Sequence, residues 1–238
     1  MGFLYDLYLR IALSKIRFHP RTLKVMQFFS YSDREKLLFD IMDFVRSNKV
    51  EGDYLEFGVF EGKTLIPACH IGSIVNRKNK MRFIGFDSFE GLPKPKGVDE
   101  KGFNHFLEGN YSYSYERLME NIKKSGANTK RIKIVKGWFK DTLNEKNQRE
   151  LSLDKAAVIY IDSDLYESAV QVLKFVKRFI HNGTILIFDD WFCYRGDPER
   201  GEQKAFSEWL KKNKDIKAIE WKRFGWYGNS FIMRKERD

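Results

Sequence analysis

The chain has 238 residues, 42% hydrophobic and 16% aromatic, enough apolar material for a sizeable core and too much for global disorder. Its formal charge of +10 admits nucleic acid, an anionic membrane or an acidic ligand without choosing among them. Cys69 and Cys193 lie far apart and form neither a disulfide framework nor a zinc spacing; no apolar run approaches the roughly 20 residues that cross a bilayer and no secretory leader is legible, so a cytoplasmic protein is expected.

Leu4, Leu7, Tyr8 and Ile11 recur at helical spacing beside Arg10, Lys15 and Arg17. This predicts an amphipathic helix that packs on its own domain or on a second copy, with a membrane surface as the other reading. Ser32 or Asp33 caps a second helix whose apolar stripe is Leu37, Leu38, Ile41, Met42 and Val45. Residues 1–50 are read as an N-terminal helical extension, the expected contact of a homo-oligomer, and 51–238 as the main domain.

From there strands and helices alternate. "DYLEFGV" is a short buried strand ending near Gly58, and "GKTLIPACHIGSIVN" a helix with Pro67 in its first turns. "MRFIGFD" is a second strand ending at Asp87, followed by a long loop punctuated by Gly91, Pro93, Pro95 and Gly97, of the kind that forms lids and binding loops. "YERLMENIKKSG" is a helix, "RIKIVKG" a third strand, "AAVIYID" a fourth, "YESAVQVLKFVKRFIHNG" a helix, "TILIFDD" a fifth strand and "EQKAFSEWLKKN" a helix. The tail "KAIEWKRFGWYGNSFIMRK" reads as a closing hairpin around Gly225. The pattern predicts an α/β, Rossmann-like, doubly wound and mostly parallel sheet, with ligands at the C-terminal ends of its strands.

"EFGVFEGKT" follows the first strand. It lacks the G-x-G-x-x-G fingerprint, and the Gly58 to Gly62 gap is one residue short of a phosphate loop, although Gly62-Lys63-Thr64 is present. Glu56 is out of place against phosphates but suits an ammonium group, and glycines let the backbone approach a ligand closely. Asp87 stands where a doubly wound sheet binds ribose hydroxyls. These features favour S-adenosylmethionine over ATP, with a turn cap as the bland reading of Asp87.

The segments "YLEFGVFEGKT", "GFDSFEGLP", "IDSDLYES" and "GTILIFDDW" resemble the macrocin O-methyltransferase family of S-adenosylmethionine-dependent sugar methyltransferases over roughly residues 50 to 210. The resemblance implies a class I S-adenosylmethionine-dependent enzyme that requires Mg2+ and methylates a hydroxyl of a sugar or glycoside. On that reading the cofactor meets Glu56, Gly58, Gly62, Asp87, Ser88, Gly137, Trp138, Phe139 and Asp162. The metal takes Asp162, Asp189 and Asp190, carboxylates that suit a hard octahedral cation, and Asp164 is the general base. His105 and Tyr111 are further candidates for the acceptor side, and Arg195 and Arg200 for an anionic acceptor, each balanced by plain surface exposure. Two alternatives stand beside this reading: a nucleotide-dependent phosphotransferase using Gly62-Lys63-Thr64, and a basic polyanion-binding module, for which no RNA motif is present.

Overall fold

The computed structural model describes residues 32–75, 80–100 and 103–236. The helix expected over residues 4–17 lies outside them, and the oligomer contact expected there lies outside with it.

Seven strands form one sheet: β1 (Asp53–Phe57), β2 (Phe83–Asp87), β3 (Ile132–Lys136), β4 (Ala156–Ile161), β5 (Ile185–Phe188), β6 (Ile216–Phe224) and β7 (Gly228–Lys235). Their order is β3-β2-β1-β4-β5-β7-β6. The first five pair in parallel, while β7 runs antiparallel between β5 and β6, so the tail is the expected hairpin. Every residue of β1, β4 and β5 is buried, as parallel strands covered on both faces must be.

The covering helices are α1 (Asp33–Ser47), α2 (Leu65–Val75), α3 (Tyr115–Ser125), α4 (Phe139–Thr142), α5 (Glu145–Glu150), α6 (Tyr166–Val176) and α7 (Gly201–Lys212). α1 buries the stripe Leu37, Leu38, Ile41, Met42 and Val45. It belongs to the same compact unit as the sheet, residues 33–238, so the boundary drawn at residue 50 cuts through a unit that α1 helps to build. Pro67 sits third in α2, where its missing N–H has no intrahelical acceptor to lose. Ser114 caps α3 by accepting from the Arg117 N–H, and Gly126 ends it in the left-handed conformation at φ 75°. The sequence reading passed over α4 and α5. Neither carries an apolar stripe; α5 rests on its cap, with Asn144 accepting from the Asn147 N–H.

β1 and β4 are neighbours, and the strand order reverses between them. The loops that leave their C-terminal ends turn to opposite sides, which opens a crevice at this point.

Candidate active site

A cavity of about 900 Å³ occupies that crevice, lined from the ends of β1, β2, β4 and β5, from the loop after β3 and from Arg34 at the start of α1. On the β1 side, Gly58 takes φ 89° and its amide donates to the Phe86 carbonyl at 2.9 Å. Asp87 accepts from the backbone N–H groups of Val59 (2.7 Å), Phe60 (2.9 Å) and Phe89 (2.7 Å). Three amides on one carboxylate hold the glycine loop against the end of β2, and Phe60 and Phe89 are kept at positive φ there. The Ser88 hydroxyl donates to the Gly91 carbonyl at 3.2 Å and accepts from the Glu90 N–H at 3.1 Å.

Of the residues expected around the cofactor, Gly58, Asp87, Ser88, Trp138, Phe139 and Asp162 line the cavity. Glu56, Gly62 and Gly137 do not, and each is placed elsewhere for a physical reason. Glu56 is 1% exposed and shares a strand face with Tyr54, whose hydroxyl donates to Glu56 Oε2 at 2.6 Å. Burial pushes its carboxyl up to about 8. Its other oxygen, Oε1, is buried with no hydrogen-bond partner. Gly62 (φ 82°) lets the chain pass Leu118, whose Cδ1 would lie 2.7 Å from an added Cβ. Gly137, at φ 137°, bonds through its amide to the Asp87 carbonyl and turns the chain toward Trp138. Lys63 and Thr64 also line the cavity, but Lys63 Nζ is held by Glu61 at 2.6 Å.

The acid side is arranged differently from the expectation in one respect. Oxygens of Asp162, Asp164 and Asp190 lie within 4.8 Å of one another. Asp189 lines the same cavity outside that trio. Its carboxylate accepts from Arg34 Nε (3.2 Å) and Nη2 (2.6 Å) and from the Tyr160 hydroxyl. Asp164 reaches the trio through a turn at φ 61°, not through continued strand geometry. Burial pushes the carboxyls of Asp162 and Asp164 well above the usual carboxylate range, and neighbouring acids add to the shift. Asp190 is pushed up to about 7 by burial first and by Asp189 next.

These residues fit a hard divalent cation. The donors are all carboxylate oxygens, they converge, and Asp190 Oδ2 is buried with no protein partner.

Sequence reading missed three participants. Arg34 stands in the first turn of a helix, where acids are the usual choice, and that is the only signal it gave. Tyr160 looked like core. Glu202, 1% exposed, accepts from the Asp190 N–H at 3.0 Å through Oε2.

The long loop closes the remaining side. Leu92 and the 109–110 turn exchange backbone bonds of 2.8 and 2.9 Å. Leu92, Phe106, Leu165, Cys193 and Tyr194 form a small apolar cluster with Phe103 against it. Asp99, 5% exposed, accepts from the N–H groups of Tyr166 (2.6 Å) and Gly201 (3.2 Å), the first residues of α6 and α7. Tyr111 lines the cavity and meets Phe60 edge-on at 6.1 Å. His105 lies tilted against Phe103 at 5.2 Å between ring centres, and Arg200 is paired with Asp197 at 3.2 Å; none of His105, Arg195 and Arg200 lines the cavity.

Residues 30–227 match the macrocin-O-methyltransferase family. The chain is 30% identical over 159 residues to the 8-demethyl-8-(2,3-dimethoxy-alpha-L-rhamnosyl)-tetracenomycin-C 4'-O-methyltransferase of Streptomyces olivaceus, covering 62% of this chain and 56% of that one. It is 29% identical over 154 residues to the demethyldecarbamoylnovobiocin O-methyltransferase of Streptomyces niveus, covering 62% and 55%. It therefore spans a little over half the length of these curated relatives. Among solved structures, the calicheamicin methyltransferase CalS11 superposes with a TM-score of 0.70 at 22% identity, covering 95% of this chain and 90% of that one, a likeness of fold.

Proposed function

The chain belongs to the macrocin O-methyltransferase family, and on that premise we propose that it is a class I, S-adenosylmethionine-dependent O-methyltransferase acting on a hydroxyl of a sugar or glycosylated small molecule with the help of Mg2+. One observation carries the reading: a glycine loop pinned by Asp87 and a cluster of carboxylates open on the same cavity.

The functional unit on this reading includes α1, because Arg34 lines the cavity. Gly58, Asp87, Ser88 and Asp162 border the cofactor, with Trp138 and Phe139 as its apolar wall. S-adenosylmethionine supplies an electrophilic methyl group. Asp162 and Asp190 would hold the cation, with Asp189 the third carboxylate once Arg34 shares it. Mg2+ when bound polarises a coordinated hydroxyl and eases its deprotonation.

Asp164 would accept the proton of the acceptor hydroxyl. Asp164 lies beside Asp162 and Asp190 on the cavity wall, within reach of a hydroxyl held there. The loop carrying Leu92 and Tyr111 covers the cavity and limits water, which would compete for position with the acceptor.

The phosphotransferase alternative loses ground on the same geometry, since Gly62 is outside the cavity and Lys63 is paired with Glu61. Calorimetry with S-adenosylhomocysteine and with ATP tests the cofactor reading directly. Methyl transfer to a glycoside panel, with Mg2+ and with a chelator, tests the rest. Binding of ATP without S-adenosylhomocysteine would sink the proposal.

A further inference from the structure

Asp189 and Arg34 are 155 positions apart in sequence and joined by two hydrogen bonds, Nε to Oδ1 at 3.2 Å and Nη2 to Oδ2 at 2.6 Å. The Tyr160 hydroxyl donates to the same Oδ1. Asp189 is 6% exposed, so its carboxylate has few routes to solvent and is already supplied with three donors. Arg34 keeps its guanidinium at the cavity wall, over the Tyr227 ring at 5.6 Å. Next in sequence to Asp189 stands Asp190, a member of the converging trio.

A divalent cation placed on Asp162 and Asp190 would meet a fixed positive charge across Asp189. Charges of like sign in a partly buried site interact strongly. Asp189 also has a limited number of lone pairs, so donors on it and a cation compete for the same oxygens.

We propose that Arg34 is an internal competitor for the cation: it neutralises Asp189 while the site is empty, and cation binding requires it to share or release that carboxylate. This rests on the reading that the acid cluster binds a divalent cation. Arg34 is thus a positioning residue with two opposite effects. It removes the cost of a buried unpaired aspartate in the empty protein, and it weakens the cation's hold.

The test uses Mn2+ alone, titrated by calorimetry into the full chain without cofactor or acceptor, with thermal melts beside it. Arg34→Gln is expected to bind Mn2+ on the order of tenfold or more tightly than the wild type while melting at a lower temperature when Mn2+ is absent. Arg34→Lys keeps the charge without the two-pronged grip and is expected to fall between them. A folded Arg34→Gln that binds Mn2+ equally or more weakly overturns the proposal, since Arg34 would then support the site instead of competing for it. The wild type supplies a check that needs no variant to fold: the Arg34 Nε–H signal, assigned by its absence in Arg34→Lys or by sequential NMR, is expected to exchange faster on saturation with Mg2+. An unchanged signal at saturation overturns the proposal as well. Failure of the underlying reading looks different: the wild type binds no Mn2+ at all, and Asp162→Asn and Asp190→Asn change nothing.

Discussion

A Cβ atom added to Gly58 would lie 1.9 Å from the carbonyl oxygen of Asp162. The glycine loop after β1 and the acid loop after β4 therefore touch backbone to backbone, and the cofactor side and the acid side of the cavity are held as one piece. Gly58→Ala adds this clash to a φ of 89°. The variant is expected to lose roughly 2–5 kcal/mol of stability, from strain and overpacking together. Gly109→Ala is the control: its φ is 78° but nothing lies within 4 Å of its Cβ, so only about 1 kcal/mol is expected. Equal losses in urea unfolding of the two variants would show that the contact with Asp162 is unimportant.

Stability of the metal-free protein should fall as pH rises. Asp190 is pushed up to about 7 and Glu56 up to about 8, while Asp162 and Asp164 are raised in the same direction. Each acid binds its proton more tightly folded than unfolded, so its contribution is complete below the ordinary carboxylate range and is lost as pH rises through the folded value. Melts at about pH 5.5 and about pH 8.5 are expected to show the drop, with Mg2+ restoring more at the higher pH because it takes the place of the protons. A melting temperature that climbs with pH in the absence of metal would contradict this.

Asp164 and Asp190 separate by their response to metal. Asp190→Asn is expected to weaken Mg2+ binding, with part of the rate recovered in excess Mg2+. Asp164→Asn keeps the side-chain shape without the basic oxygen and is expected to lose roughly 10²–10⁴-fold in turnover, beyond rescue by added Mg2+. Recovery of the Asp164 variant at millimolar Mg2+ would make Asp164 a ligand, a role its place in the trio with Asp162 and Asp190 permits.

Glu56 and Asp87 should differ although both are acids near the glycine loop. Glu56 is buried against Tyr54 and does not line the cavity, so Glu56→Gln is expected to change S-adenosylhomocysteine affinity by no more than about threefold, or 0.7 kcal/mol. Asp87→Asn replaces one acceptor oxygen by a donor facing backbone N–H groups and is expected to weaken that affinity by about 1–3 kcal/mol. Calorimetry on the two variants decides it, and a larger effect at Glu56 would return that residue to the cavity.

Asp99 ties the long loop to the first residues of α6 and α7. Asp99→Ala leaves the N–H groups of Tyr166 and Gly201 without their acceptor and is expected to cost about 1–3 kcal/mol. Hydrogen exchange is expected to speed in residues 103–113 of the variant. Identical exchange in both proteins would place the anchor in the Phe103, Phe106 and Tyr194 cluster instead.

Order along the chain was legible without coordinates because it depends on local chemistry. "AAVIYI" and "ILIF" are apolar runs that only a strand covered on both faces can bury, so Asp162 and Asp189 had to stand just past strand ends. The Gly58 turn and the tail hairpin follow from the same kind of reasoning. Alternation along β1 also puts Tyr54 and Glu56 on one face, but it does not say what covers that face. Whether Glu56 met a ligand or a tyrosine was therefore decided by packing. Partners distant in sequence decided the rest. Arg34 reaches Asp189 only because α1 belongs to the same compact unit as the end of β5, and Asp99 reaches α6 and α7 only because the long loop folds back over them. A carboxylate's neighbours set both its charge and its availability, and those neighbours were brought together by the tertiary fold, across separations that no spacing along the chain encodes.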